Sequence, residues 1–364
     1  MNRNLKFFLI IPTLKQGGAE RVISELANYF SKNNVEVHLI LLASTQDFYK
    51  VNELVKVHRL GFVNNGKIGK FISEIKVYFK LRKLLKKNKP DAVLSFMDKY
   101  NVFTLLASIF LNLKIFVSDR SNPNLELSWL LYIFKKITYI NASGIVAQTS
   151  LSKKVVFDLT KNENIKIIPN PVKKINEFPE IKREKIILNM GRLVPEKGQK
   201  YLLEIFSMLN NQDYKLVILG DGPLRKNLEA KIVELGLEGR VSMPGAVHNV
   251  DEWLAKASIF ALSSISEGFP NVLVEAMAAG VPCVSFDCDA GPRDIIQDGY
   301  NGFLVENGDL DKFVDRINIL LNDPEKVKKI SFNAKKIRQK YTMESIGEEY
   351  LNFLTKNKID NSLN

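Results

Sequence analysis

Cysteine is almost missing from this chain. Among 364 residues there are two, Cys283 and Cys288, so no disulfide framework can hold the fold, and a reduced, cytoplasmic setting is predicted. Neither has a Cys or His partner at zinc-site spacing. Histidine is as scarce, with only His38, His58 and His248, and no Ser-His-Asp arrangement emerges. Long apolar runs are also lacking. Residues 102–116 and 129–140 are the longest, and Asn or Lys interrupts both, so neither makes a transmembrane span. The run at 7–11 is too short for a signal peptide and no small-residue cleavage pattern follows it, so it reads as a buried first strand. The full G-x-G-x-x-G pattern is absent after that strand, which argues against NAD or FAD. No nucleic-acid fold signature is present. Acidic charge is in deficit: 40 Asp and Glu against 52 Lys and Arg, a formal +12. That excess suits an anionic ligand, a nucleic acid or an anionic membrane surface.

What is present is an ordinary globular composition, 46% hydrophobic and 25% charged, in a chain longer than one core supports. Two domains are expected. In the first half, strands at 7–11, 35–42, 91–96, 115–117, 144–147 and 166–168 alternate with helical patterns, which implies a parallel sheet covered on both faces. The loop Lys15-Gln16-Gly17-Gly18 follows the first strand, where open α/β sheets place ligands. Residues 66–90, GKIGKFISEIKVYFKLRKLLKKNKP, read as a basic amphipathic helix. Ile68, Phe71, Ile72, Ile75, Phe79, Leu81 and Leu84 are expected on one apolar side, flanked by lysines. Together with Trp129, Tyr132, Phe134, Lys135, Lys136 and Tyr139, that helix suits an anionic membrane surface, or else a sheet-covering helix with a solvated lysine face. Two strand ends collect polar groups, Ser95, Asp98, Lys99 and Asn101 in one and Ser118, Asp119, Arg120 and Asn122 in the other. An acceptor site of the first domain would lie there.

Pro169-Asn170-Pro171 stops regular structure, residues 172–184 read as a linker, and a second α/β domain occupies 185–342. Its first strand runs into Gly191-Arg192-Leu193-Val194-Pro195-Glu196-Lys197-Gly198. Arg192 and Lys197 can both reach over a strand end, as a departing diphosphate requires, because negative charge grows on it as the bond breaks. The stretch SSISEGFPNVLVEAMAAG at 263–280 reads as strand, tight loop and helix N-terminus, with Pro270 in the first helical turn. Such a terminus offers free N–H groups and a positive dipole end to phosphate. Glu267 in the loop and Glu275 in the helix could accept hydroxyls flanking those phosphates, or be ordinary surface glutamates. Asp287-Cys288-Asp289 matches a D-x-D metal pattern, but it follows a late strand beside a site already supplied with cations, and no metal is expected. His38 and His58 read as structural, and His248 as a loop residue able to touch a base.

The joint occurrence of GGAER at 17–21, GRLVPEKG at 191–198, GDGP at 220–223, SEGFPNVLVEAMAAGVPCV at 266–284 and NGFLV at 301–305 resembles the retaining glycosyltransferases of family four. The match runs through nearly the whole chain in order. It implies a GT-B architecture: two Rossmann-like, doubly wound α/β domains facing across a cleft, spanning 1–171 and 185–342, with a final helix at 343–358 crossing back to the first. It further implies that Arg192 and Lys197 bind the donor diphosphate, that Glu275 binds the ribose, and that Glu267 contacts the donor sugar. Gly268, Phe269, Pro270, Asn271, Val272 and Leu273 would contact sugar and phosphates through their backbones. Gly17 and Gly18 would lie under the phosphate near the acceptor, with Gly222 also at the nucleotide. Many members carry a His near the end of a middle strand of the first domain; here Ser118-Asp119-Arg120 takes that region, and Asp119 becomes the candidate. The GPRDII segment at 291–296 is similar to bacterial glycan-assembly members, which implies a UDP-hexose or UDP-N-acetylhexosamine donor, no other cofactor, and a saccharide or lipid-linked saccharide acceptor in surface polysaccharide, capsule or lipopolysaccharide synthesis on the inner face of the cell membrane. A sugar-nucleotide epimerase of similar fold and a non-catalytic basic protein of the membrane surface are the alternatives.

Overall fold

The computed structural model describes residues 5–64, 66–124 and 126–356. The chain forms two compact units, Met1–Pro171 with Met343–Asn364, and Val172–Thr342.

The first unit runs β1 (Lys6–Ile11), α1 (Gly18–Lys32), β2 (Glu36–Ala43), β3 (Lys56–Phe62), α2 (Gly66–Asn88), β4 (Ala92–Phe96), α3 (Asp98–Ala107), β5 (Ile115–Ser118), α4 (Trp129–Tyr139), β6 (Gly144–Ala147), α5 (Ser150–Thr160) and β7 (Ile165–Ile167). All strands are parallel, in the order β3-β2-β1-β4-β5-β6-β7, with Leu9 of β1 in register with Leu39 and Leu94. A sheet buried on both faces needs apolar residues at every position. In β1, Phe7, Leu9 and Ile11 enter one core and Phe8 and Ile10 the other, which is the period-two alternation of a strand.

The second unit runs β8 (Glu184–Met190), α6 (Gln199–Met208), β9 (Lys215–Leu219), α7 (Arg225–Glu234), β10 (Val241–Gly245), α8 (Val250–Lys256), β11 (Ala257–Leu262), α9 (Asn271–Ala278), β12 (Cys283–Asp287), α10 (Pro292–Ile295), β13 (Phe303–Glu306), α11 (Leu310–Asn322), α12 (Pro324–Lys335) and α13 (Ile337–Lys340). Its parallel sheet has the order β10-β9-β8-β11-β12-β13. The fold is therefore α/β with two doubly wound Rossmann-like sheets. The last helix, α14 (Met343–Thr355), packs on the first unit. Gly347 lies against the Tyr29 ring, the Phe353 and Phe116 rings meet edge-on, and Arg120 donates to the Tyr350 hydroxyl at 2.8 Å. Residues 357 and 358, which the sequence reading included in this helix, lie outside the described residues.

Two expectations are corrected here. The seven apolar residues of α2 do not share one side. Leu81 is buried and Leu84 partly buried against the sheet, whereas Ile68, Phe71, Ile72, Ile75 and Phe79 are exposed. At about 100° per residue, positions 73, 77, 81 and 85 form the inner stripe, and 68, 72, 75 and 79 form a second stripe on the opposite side. The sequence counted both as one because apolar residues on opposite faces are adjacent in the chain. Lys135 and Tyr139, grouped with interfacial residues, are buried. Lys135 Nζ lies 2.7 Å from Asp98 and 2.6 Å from Asp119, and the Tyr139 hydroxyl donates to Asp98 at 3.2 Å. Helical spacing cannot reveal this, because a lysine stem packs as readily as an aliphatic chain when a carboxylate waits at its end.

In this triad, burial and the Asp98 charge push the Asp119 carboxyl up to about 6. Burial also acts to raise Asp98, but Lys135 holds it below its ordinary value. Replacing Lys135 with Met leaves two buried carboxylates without their cation, so Lys135→Met should cost about 3–5 kcal/mol, read as a lowered urea midpoint. Both folded-state carboxyls would then bind protons more readily than the unfolded chain does. The variant's midpoint should therefore rise as pH falls from 7 to 5, more steeply than in the parent.

Candidate functional site

In the second sheet, β8 and β11 are neighbours, and their successors leave in opposite directions, β9 on one side and β12 on the other. At such a switch point the two outgoing loops diverge and open a crevice at the carboxyl ends of the strands. The loop after β8 carries Gly191 to Gly198, and the loop after β11 carries Ser263 to Pro270.

Backbone contacts sew these loops together. The Ile265 N–H donates to the Glu196 carbonyl at 2.9 Å, and the Ser263 hydroxyl donates to the Lys197 carbonyl at 3.0 Å. Gly198 makes this approach possible: its φ is +62°, and a Cβ there would lie 2.0 Å from the Ser263 carbonyl oxygen. The GDGP loop joins from β9. The Leu193 N–H donates to the Asp221 carbonyl at 3.0 Å, and a Cβ on Gly222 would meet the Leu193 backbone at 2.5 Å. The demand for Gly222 is thus visible as packing between two loops.

On this frame Lys197 Nζ lies 2.6 Å from Glu267 Oε1, with Glu267 nearly buried. Arg192 is exposed and makes no ion pair among the described residues. The helix α9 starts at Asn271, so Pro270 is its N-cap, one position earlier than the sequence suggests. Phe269, Pro270 and Leu273 are buried, while Gly268, Asn271 and Val272 are partly exposed along the rim. Glu275, in the second turn, has a partly buried side chain, and its Oε2 lies 4.0 Å from Lys173 Nζ. Lys173 also pairs with Asp251 at 2.8 Å. It falls in the stretch read as a linker, and no spacing signal in the sequence could have joined it to Glu275.

The remaining candidates sit elsewhere. His248 is exposed in the loop after β10, at the sheet edge. Asp287 pairs with Arg293 at 2.8 Å, and among the described residues no group of three or more His, Cys, Asp or Glu could hold a metal. Burial and the neighbouring Glu267 charge push the Cys288 thiol up to about 12, so it stays protonated and is a poor nucleophile.

In the first unit, Gly17 is the extended N-cap of α1 and Gly18 its first residue. The Glu20 side chain folds back over Gly17, where a Cβ would meet its carboxylate at 2.1 Å. Burial raises the Glu20 carboxyl. In the sequence the glycines of GGAER carry the signal, and Glu20 sits in the first turn of α1, three positions after the N-cap Gly17. Asp119 occupies the buried triad already described, and Arg120 stacks its guanidinium 3.9 Å from the centre of the Phe96 ring.

Comparison with known proteins places this geometry. Residues 172–337 match the family described as glycosyl transferases group 1, and residues 16–174 match glycosyltransferase family 4. The chain is 32% identical over 361 residues to a Campylobacter jejuni enzyme, covering 97% of this chain and 99% of that one. The chain belongs to the family-four glycosyltransferases of the GT-B fold. That relative is named GalNAc-alpha-(1->4)-GalNAc-alpha-(1->3)-diNAcBac-PP-undecaprenol alpha-1,4-N-acetyl-D-galactosaminyltransferase. A Salmonella typhimurium lipopolysaccharide 1,6-galactosyltransferase is 28% identical over 323 residues, covering 84% of this chain and 86% of that one. The crystal structure of Anabaena HepE in complex with UDP and glucose superposes with a TM-score of 0.80 at 21% identity, covering 96% of this chain and 99% of that one. It shares the fold of this transferase.

The transferase's loop frame can be tested without any ligand. Gly198→Ala forces a Cβ into the Ser263 carbonyl from a left-handed backbone, so it should cost about 1–3 kcal/mol, measured as a shift in the urea midpoint. An unchanged midpoint would mean that the two loops do not meet as described.

Proposed function

We propose that the second unit binds a UDP-sugar and that the transferase moves a hexose or N-acetylhexosamine, with retention, to a saccharide on a lipid carrier. One observation carries this reading: an exposed Arg192, the Lys197–Glu267 pair, the α9 N-terminus and Glu275 all belong to loops and a helix at the carboxyl ends of β8 and β11. Two cations and a helix dipole suit a diphosphate. Glu275 lies about a turn and a half along the same helix, where a ribose hydroxyl can donate to it. Glu267 is held by Lys197, so a sugar hydroxyl arriving between them meets an oriented acceptor and a donor. As the anomeric bond breaks, Arg192 and Lys197 stabilise the charge growing on the departing phosphate. That phosphate can take the acceptor's proton, which dispenses with a protein base.

Two relatives support the choice of ligands: the name of the C. jejuni enzyme gives a PP-undecaprenol-linked saccharide, and HepE was crystallised with UDP and glucose. For the setting, we propose an anionic membrane surface. No helix among the described residues is long and apolar enough to cross a membrane. Yet the outer stripe of α2 and Trp129, Leu130, Ile133 and Ile137 of α4 are exposed, and the exposed lysines Lys70, Lys76, Lys83, Lys86 and Lys87 lie on α2. Apolar side chains among cations suit an interface of anionic lipids.

Arg192→Ala should lower kcat about 10²-fold, and Glu275→Ala should weaken UDP binding about tenfold, as measured by calorimetry. The product's anomeric configuration, read by NMR, should match the donor's; an inverted linkage rejects the retaining mechanism. Phe71→Glu with Trp129→Glu should abolish co-sedimentation with phosphatidylglycerol vesicles while leaving UDP binding intact.

A further inference from the structure

The second-unit site carries two carboxylates where the proposed reading puts a diphosphate, and like charges repel. At Glu267 that repulsion is offset by Lys197, 2.6 Å away. At Glu275 the nearby cation is Lys173, whose Nζ lies 4.0 Å from Oε2. Lys173 belongs to neither loop of the site. It is the second residue of the second unit, in the segment between β7 and β8.

Packing and hydrogen bonds hold that segment in place. Val172 and Ile175 pack against the core that contains Leu273 and Val274 of α9, so Lys173 is flanked by residues seated on the helix that carries Glu275. The Val172 N–H donates to the Tyr341 carbonyl at 2.8 Å. The Asn176 N–H donates to Oδ2 of Asp251, in the first turn of α8, at 3.1 Å. The other oxygen of that carboxylate, Oδ1, lies 2.8 Å from Lys173 Nζ. Asp251 thus grips the segment twice, through its backbone and through the ammonium. The Asp251 and Glu275 side chains are only 13% and 14% exposed, and that of Lys173 is 31% exposed. Water screens charges so placed only in part. At 4.0 Å the Lys173–Glu275 pair is too long for a hydrogen bond, yet close enough for the ammonium to attract the carboxylate.

We propose that Lys173 is a positioning residue for the nucleotide: anchored by Asp251, it draws the Glu275 carboxylate into one orientation, so that the ribose hydroxyls meet a fixed acceptor. The inference rests on the reading of Glu275 as the ribose acceptor. Lys173 acts on the nucleotide through Glu275. Without its ammonium the Glu275 side chain loses the charge that orients it, and ordering it becomes part of the cost of binding. That cost falls on a ligand with ribose hydroxyls. The lost positive charge also acts on any diphosphate, but from further away and more weakly. A lysine that served only to hold the segment against α8 would affect every ligand of the site alike.

Calorimetric titration of the full chain with UDP and with its dideoxy analogue, which lacks both ribose hydroxyls, separates these cases. Lys173→Met should weaken UDP about tenfold and the dideoxy analogue about twofold or less. Lys173→Arg, which keeps the charge, should bind UDP within about threefold of the parent. Lys173→Gln removes the charge and keeps a donor for Asp251, so it answers the same question should the Met variant fail to fold. In a double-mutant cycle, adding Lys173→Met to Glu275→Gln should cost no more than about twofold beyond Glu275→Gln alone. Unchanged UDP binding in the Met and Gln variants overturns the proposal. So does an equal loss for UDP and the dideoxy analogue, which makes Lys173 a structural residue only, and so does a fully additive cycle, which makes it act apart from Glu275. The Glu275→Gln variant distinguishes the two readings. If it weakens UDP while the Lys173 variants do not, only this inference falls. If it leaves UDP binding intact, the ribose role of Glu275 falls and takes this inference with it.

Discussion

Parallel strands all end on the same side, and everything functional in this chain depends on that constraint. A parallel sheet cannot turn back on itself through tight hairpins, so each strand hands over to a loop and helix at its carboxyl end. In the second unit the adjacent β8 and β11 send their successors to opposite sides. The crevice between their loops is a geometric consequence of that order. The chain then uses glycine where the loops must nearly touch, at Gly198 against Ser263 and at Gly222 against Leu193. It places its charges on the loops those contacts hold in position.

Charge in this protein is managed in two ways. At the second-unit site Lys197 and Glu267 satisfy each other at 2.6 Å, so a nearly buried carboxylate keeps its partner while Arg192, in the loop that carries Lys197, stays exposed. In the first unit a lysine is spent on structure. Lys135 bridges Asp98 and Asp119 inside the core, tying α4 to the ends of two strands. Removing one member of such a cluster is far more damaging than the cluster's net contribution would suggest, because an unpaired buried charge remains. The arrangement gives Asp119 a clear structural role. It also leaves the outer side of α4 free of any duty to the core.

Surface chemistry follows the same division of labour. The inner stripe of α2 covers the sheet with Val77, Leu81 and Leu85, while the apolar side chains of its outer stripe are exposed. A helix meant only to cover a sheet has no use for a second apolar face. The exposed side chains of α4 make the same point, and both helices belong to the first unit.

Much of this was legible in the sequence. Continuous apolar runs such as FFLII and IIL determine buried parallel strands, because only a sheet covered on both faces tolerates them. The string SEGFPNVLVEAMAAG determines a strand end, a loop and a helix start, because Pro and the apolar spacing act locally. Most strands of both sheets followed from short-range rules, β3 (Lys56–Phe62) and β13 (Phe303–Glu306) being exceptions, and the family resemblance rested on the same strings. Tertiary structure alone decided the rest. That Lys135 turns inward and that Lys173 reaches Glu275 depend on partners brought close only by folding. Lys135 and Asp98 are 37 positions apart in the chain, and Lys173 and Glu275 are 102 apart. No periodicity carries information over such separations, because each pairing is set by where strand ends and helix turns meet in space.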